Sequence, residues 1–403
     1  MTTHWLTVLL LIRVFTVFIA ILMPATQAHA APRTPANDAE VLEKLPTRAT
    51  DSTARELAAL RAAVAKAPSD AALATELAQR YFDLALAQGD PRYVGYAEAV
   101  VTRFGAVLPV PLLTLRGVLR QYRHDFAGAL KDFEAALVLV PDYAAAHAWR
   151  GAIYLVEADY GAAKKECAAL LGLGREGLAG ACLGLLQAYS GQLAAGYSTL
   201  QKTLRLTVDV DSRLWLLTRL GEVAAWRGQD AAAQSHYREA LGLGRDDVYL
   251  LAAWTDFLLD AGQSAEVVGL LTKWESADSL LLRLAEAEAL LKLPEAARHQ
   301  KMLVDRFAAA RARGDTTHRA EEARFELRLR QDAPTALRLA QENYAVQREP
   351  RDARVLLEAA IAARSSASAQ VVRDWLQRSG FEDARTRSLA QASESVGSSG
   401  DKK

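Results

Sequence analysis

A repeat of about 34 residues most constrains how this chain can fold. One series of small residues is Gly117, Gly151, Gly184 and Gly221, with steps of 34, 33 and 37 residues. A second series is Ala129, Ala163, Gly196, Ala233 and Val267, with steps of 34, 33, 37 and 34 residues. The two series keep one register, which suits one small residue on each of two helices that cross closely. The period therefore predicts a stack of helix pairs.

Short turns fall between the two helices of each predicted pair. They are His124–Phe126, Ala158–Tyr160, Gly191–Leu193, Gly228–Asp230 and Gly262–Ser264. Glycine can take the left-handed conformation that closes a helix, and Asp, Gln or Ser then begins the next one. Larger residues recur four places after the second small residue, on one helical face, and predict the core: Phe133, Cys167, Leu200, Tyr237 and Leu271.

The pattern resembles the tetratricopeptide repeat (TPR), a helix-turn-helix of about 34 residues. The two small series match the family's eighth and twentieth places, and Phe133 and Tyr237 match its aromatic twenty-fourth. The family's bulky fourth residue is replaced here by Leu113, His147, Gly180, Leu217 and Leu251, and its tyrosine at place eleven survives as Tyr154. The resemblance implies an all-α, right-handed superhelical solenoid of stacked antiparallel helix pairs. More remotely, the whole chain resembles uncharacterised exported bacterial TPR proteins.

The strength of the repeat predicts the domain organisation. Residues 110–274 are well phased; 52–109 hold N-terminal helices with a divergent repeat, and 278–380 hold divergent C-terminal hairpins. About nine hairpins are expected. Residues 31–51 are predicted to be a flexible lead, and 393–403 a disordered tail.

The first thirty residues have the order of a signal peptide. Arg13 precedes an apolar run from Val14 to Met23, and Ala28-His29-Ala30 provides small residues for cleavage after Ala30. The alternative is an uncleaved anchor from Trp5 to Met23, in which the Arg13 charge would be costly. We expect an exported protein, periplasmic or secreted, with no membrane span after cleavage.

The balanced charge and the absence of known site motifs limit the classes of function that the sequence favours. The chain has 48 Lys and Arg against 48 Asp and Glu, so it lacks the basic excess on which binding to nucleic acid phosphates depends. Metal-binding and nucleophile motifs such as HExxH, GxSxG and GxxxxGK do not occur, and we expect no cofactor, no metal and no catalysis. Nine basic and five acidic residues between Arg298 and Arg330 are interpreted as a solvated helical face.

Two functions from different classes fit the sequence. The first is a scaffold that binds a protein or peptide in a concave groove. The resemblance implies groove residues on the first helix of each repeat: Tyr122, Tyr189, Trp215, Glu222, Trp226, Tyr249, Asp256 and Asp260. Trp215 and Trp226 could instead cover the neighbouring repeat. The second function is an envelope-processing enzyme or transport accessory, for example one that binds glycans, which would need one deep pocket with converging titratable groups.

Cys167 and Cys182 are the only cysteines. An oxidising compartment favours a bridge between them, and a turn centred near Gly174 would bring them to the same height on antiparallel helices. Two separate buried thiols are the alternative, since Cys167 takes a core place that Phe133 and Tyr237 fill in other repeats.

Overall fold

The computed structural model describes residues 51–105 and 107–398. The predicted signal peptide and nearly all of the predicted lead lie outside these residues. The described part contains twenty α-helices and no β-strand. The first ten are α1 (Ser52–Lys66), α2 (Ala71–Gln88), α3 (Arg92–Arg103), α4 (Val110–Tyr122), α5 (Phe126–Leu139), α6 (Ala144–Val156), α7 (Tyr160–Gly172), α8 (Glu176–Tyr189), α9 (Leu193–Leu206) and α10 (Val210–Trp226). The next ten are α11 (Asp230–Gly242), α12 (Val248–Asp260), α13 (Ser264–Leu271), α14 (Asp278–Leu291), α15 (Glu295–Ala312), α16 (Arg319–Phe325, continued by a π-helix Glu326–Arg330), α17 (Ala333–Tyr344), α18 (Pro350–Ala362), α19 (Ser366–Ser379) and α20 (Ala384–Ser398).

Helices α2 to α19 pack as nine consecutive pairs, each joined by a short turn. Because the turns are short, the two helices of a pair run antiparallel. The predicted all-α fold of stacked antiparallel helix pairs is confirmed, and nine pairs is the number that the hairpin count predicted. No helix in the described residues is both long and apolar enough to span a membrane.

The turns within the phased pairs share one backbone conformation. Gly191, Gly228 and Gly262 have φ of 76°, 66° and 72°, and His124 and Ala158 adopt the same left-handed conformation at 61° and 59°. The residue after each of these two is an aspartate. The Asp125 and Asp159 side chains accept hydrogen bonds from backbone amides in the first turn of the following helix and so cap its N-terminus. The repeat position, more than the residue type, therefore sets the turn.

The small residues allow close helix crossing, as the period predicts. A Cβ placed on Gly184 would lie 2.6 Å from Leu200, and one on Gly221 would lie 2.6 Å from the Tyr237 ring. The predicted core residues Phe133, Cys167, Leu200, Tyr237 and Leu271 are all buried. The larger side chain of the second helix thus fills the space above the glycine of the first.

The helices from Arg55 onward form one compact unit. The first helix pair of the array approaches the sixth pair. Helix α2 packs against α12, and a Cβ on Gly89 would lie 2.7 Å from Ala277 Cβ. The last helices, α16 to α20, then lie over the turns of earlier pairs. We call residues 319–398 the C-terminal cover.

The end of the chain differs from the sequence prediction. Residues 393–398, placed in a disordered tail, continue helix α20, and Ser393 is buried and donates to the Ala390 carbonyl. The polar composition of this segment hid its helix, since the contacts that bury Ser393 come from α19, where Arg373 donates to its hydroxyl.

Candidate functional site

The predicted groove residues all lie on first helices of the phased pairs. Helices α4, α8, α10 and α12 end at Tyr122, Tyr189, Trp226 and Asp260. One turn before those ends, α10 carries Glu222 and α12 carries Asp256. Nearer their starts, the same two helices carry Trp215 and Tyr249. We call these eight residues the stripe. The C-terminal cover contacts most of this stripe.

Polar contacts join the C-terminal cover to the turns of two successive pairs. The Arg348 amide donates to the Val156 carbonyl at 2.8 Å, and the Leu193 amide donates to Glu382 at 2.8 Å. The Trp375 indole donates to the Tyr160 hydroxyl at 2.9 Å. These contacts satisfy polar groups at helix ends, so the cover completes the edge that the turns form.

Aromatic packing adds an apolar contact between the repeats and the cover. Trp226 lies 5.8 Å from the Tyr189 ring and 5.4 Å from the Phe381 ring, and Phe381 is fully buried. Tyr189 is also buried and donates to Glu349 of the cover. Trp226 therefore packs against both the neighbouring repeat and residues far along the same chain. Tyr122 contacts the preceding repeat edge-on through Phe82, 5.8 Å away.

The two acids on α12 pair with arginines. Asp260 accepts from Arg354 at 2.6 and 2.7 Å and is paired with Arg385 as well. Asp256 accepts from Arg283 at 2.6 Å and from Arg324 at 2.5 Å. Burial would raise the pKa of Asp256, but the two guanidinium groups outweigh it and hold the pKa well below its usual range. Asp256 thus remains charged, and both carboxylates attach the cover through arginines.

A compact polar cluster lies between these acids and Trp226. The Tyr249 hydroxyl donates to Glu222 at 2.7 Å, and Arg219 donates to the same carboxylate at 2.9 Å. Arg219 lies 4.4 Å from the Tyr249 ring centre, and Arg351 of the cover lies 5.5 Å from it. Burial raises the pKa of Tyr249 well above its usual value. The tyrosine is thus a neutral donor held between two cations.

Trp215 is a predicted groove residue that stays partly open to solvent. Its side chain is 37% exposed, and the Arg219 guanidinium lies 5.5 Å from its ring. Leu178 holds the same repeat place on α8, a helix that packs against α10, and it is also exposed. The stripe is therefore covered at Tyr189, Trp226 and Asp260 and open around Trp215 and Leu178.

The basic stretch between Arg298 and Arg330 differs from its interpretation as a solvated face. Arg324 is largely buried and donates to the buried Glu286 at 2.6 Å as well as to Asp256. The segment Glu326–Arg330 forms a π-helix instead of continuing the α-helix. A local charge pattern cannot reveal a partner 68 residues away, which is the separation of Asp256 and Arg324.

The structure joins Cys167 of α7 to Cys182 of α8. The two sulfur atoms lie 1.98 Å apart and the two Cα atoms 5.5 Å apart. The bridge also explains an exception in the repeat. Gly151 faces the sulfur of Cys182 at 3.3 Å, where the glycines of other pairs face a larger side chain from their own second helix.

Among the residues that the structure describes, no group of three or more His, Cys, Asp or Glu side chains is placed to hold a metal ion.

Known proteins of similar structure share little sequence with this chain. Neither a family model nor a curated protein matches the sequence. Yeast Tom70 has a TM-score of 0.46 at 11% identity, covering 85% of each chain. A tetratricopeptide repeat protein from Parabacteroides merdae has a TM-score of 0.42 at 16% identity, covering 62% of this chain and 91% of its own. The human IFIT1 dimer with m7Gppp-AAAA has a TM-score of 0.43 at 13% identity, covering 85% of this chain and 86% of its own.

The helix pairs of this protein are TPR-like by their own geometry: small residues at two fixed places, a shared turn conformation and consecutive packing.

Proposed function

We propose that this protein is an exported, non-catalytic scaffold that binds a protein or peptide segment on the open part of its concave side. The exposed Trp215 carries the proposal. A tryptophan that is 37% exposed beside a guanidinium offers a large apolar face and a polar rim, which is the chemistry of interface hot spots.

The neighbourhood of Trp215 indicates the partner's chemistry. Leu178 extends its apolar surface along the concave side, and the Arg219 charge behind it is already balanced by Glu222. A segment that places an apolar or aromatic side chain on Trp215 would fit this surface. A partner cannot occupy the whole stripe while the C-terminal cover stays in place, because Trp226 and Asp260 contact the cover.

The acids of the concave side support a role in attachment over one in catalysis. Glu222, Asp256 and Asp260 each accept hydrogen bonds from an arginine. General acid or base catalysis needs a carboxyl that can exchange a proton near the working pH. Carboxylates engaged in arginine pairs are poor candidates for this chemistry.

Export rests on two observations. The sequence begins with the charge, apolar and small-residue order of a signal peptide. The Cys167–Cys182 bridge fits an oxidising compartment such as the periplasm.

Site-specific crosslinking in the native envelope tests the proposal. A photo-reactive residue at Leu178 should give a discrete adduct whose mass differs from that of two copies of this chain, and Trp215→Ala should abolish it while Trp215→Phe keeps it. The same probe at Lys202, on the exposed side of α9, is the control. If Trp215→Ala leaves the adduct intact while the melting temperature is unchanged, the open part of the concave side is not the binding surface.

A further inference from the structure

The edge of the repeat array opposite the C-terminal cover carries a row of exposed apolar side chains. Each of three successive junctions between pairs contributes to it. Val138 is 77% exposed where α5 ends, Leu171 is 62% exposed where α7 ends, and Leu206 and Val208 are 75% and 90% exposed where α9 ends. Single exposed apolar residues are ordinary, but a row repeated at three junctions marks an interaction surface.

The three junctions share one edge because alternate helices reverse direction. The turns within pairs, such as those at Ala158 and Gly191, lie at the opposite edge, where the C-terminal cover contacts them. In the part of the chain that the structure describes, the cover contacts one edge and leaves the side chains at the junctions open. Helices pack 8–10 Å apart, so the row with its flanks spans roughly 30 Å. A patch of this width has the scale of about 800 Å² that a stable partner contact needs on each side.

Charges along the row are arranged with approximate two-fold complementarity. The first junction carries Asp142, the central one carries Arg175 and Glu176, and the third carries Arg205. All four side chains are exposed, and none takes part in an ion pair with another described residue. Asp209 at the third junction is engaged in capping α10, and Asp211 lies 3.7 Å from Arg245.

A second copy of the same chain fits this arrangement. With a two-fold axis through the central junction, the first junction of one copy meets the third junction of the other. Asp142 then faces Arg205 of the second copy, Arg175 faces Glu176, and the apolar side chains of both rows meet between them. The Cys167–Cys182 bridge closes the loop that holds the central junction, which reduces the ordering needed on association.

We propose that this junction edge is the interface of a symmetric homodimer. The proposal does not depend on the proposed function, because Trp215 and the concave side are not used in it.

Sedimentation equilibrium of the protein purified from its own cells, over a concentration series, tests the dimer. The expected result is twice the mass of the processed chain. Leu206→Lys combined with Val208→Glu should give a single-chain mass throughout the series, with circular dichroism unchanged because both side chains are exposed. A single-chain mass for the unaltered protein at every concentration would overturn the proposal, including the case in which the edge meets a different protein or a lipid surface.

Charge reversal locates the interface. Arg205→Glu alone and Asp142→Arg alone should each weaken association about tenfold, and the combination should restore most of the loss because the pair is rebuilt with opposite polarity. Lys164→Glu changes charge by the same amount on the exposed face of α7, away from the junctions, and should have no effect. A dimer that resists the apolar double variant, or charge effects that simply add in the combination, would show that the two copies meet elsewhere.

Discussion

The phased repeats α4 to α13 and the C-terminal cover are held by different kinds of contact. In the repeats, a small residue on one helix meets a large residue 16 places later on the next, as Gly221 meets Tyr237. The cover reaches partners much farther along the chain, such as Glu382 with Leu193, 189 residues away. Contacts of the first kind recur with the period and can be recognised in sequence, whereas those of the second kind occur once.

The difference also concerns polarity. The phased repeats bury mainly apolar side chains at their crossings, while the cover attaches through Arg324, Arg354 and Arg385 to acids on α12. Around this ionic contact, Phe381 and Trp375 provide an apolar anchor. The comparison therefore predicts that the cover can open locally while the repeats stay folded.

The largest expected effect follows removal of the apolar anchor. Phe381→Ala should destabilise the cover by about 3–5 kcal/mol, since the ring is fully buried between Trp226 and Trp375. Hydrogen exchange should show loss of protection in α18 to α20 with protection kept in α4 to α13. Val371→Ala, at an exposed position of α19, is the control. Equal loss of protection in both regions would show that cover and repeats unfold as one unit.

Within the repeats, the disulfide should have the next largest effect. Replacing Cys167 and Cys182 by alanine should lower the free energy of unfolding by about 3 kcal/mol, because the bridge closes a loop with a sequence separation of 15. Urea unfolding measures the change, and reductant should lower the stability of the natural protein but not that of the variant. Alkylation of two thiols in protein isolated without reductant would contradict the bridge.

The next prediction concerns how closely the two helices of a pair cross. Gly221→Leu should cost about 1–3 kcal/mol, because its Cβ would lie 2.6 Å from the Tyr237 ring and force the helices apart. Gly269→Leu places the same side chain in open space on α13 and should leave the midpoint of thermal unfolding unchanged or higher. Similar melting curves for both variants would mean that the crossing tolerates the larger residue.

The smallest effect concerns pH at the cover. Burial raises the pKa of Asp352 to about 7, with Arg351 opposing and the Glu349 charge adding to the rise. The folded state therefore keeps a proton that the unfolded chain releases near its ordinary pKa, so stability falls as pH rises toward 7. Between pH 5 and 8 the cover should lose stability, seen as faster exchange in α18 after correction for intrinsic rates.

Asp352→Asn should remove this dependence, since the amide carries no proton to lose, while Asp374→Asn on α19 should keep it. A pH dependence that persists in Asp352→Asn would assign the titration to another group of the cover.

Several features of the fold could be predicted because they depend on neighbours in sequence. The spacing of Gly117, Gly184 and Gly221 specifies where two helices of one pair cross, and the turn residues lie within the same repeat. Even departures from the pattern kept their structure, as His124 and Ala158 show by adopting the glycine conformation. A consistent period thus outweighs a single unsuitable residue.

The sequence could not predict which residues of the candidate site are covered by distant parts of the chain. The repeat register predicts Tyr189, Trp226 and Asp260 in a groove, but Glu349, Phe381 and Arg354 contact them from more than 90 residues away. A basic helix facing solvent and one facing acids on a distant helix have the same periodicity. The amino-acid order thus determined the helix pairs, their crossings and the polarity of each face. Only the tertiary structure decided which faces meet, because the curvature summed over nine pairs brings the C-terminal cover onto the repeats.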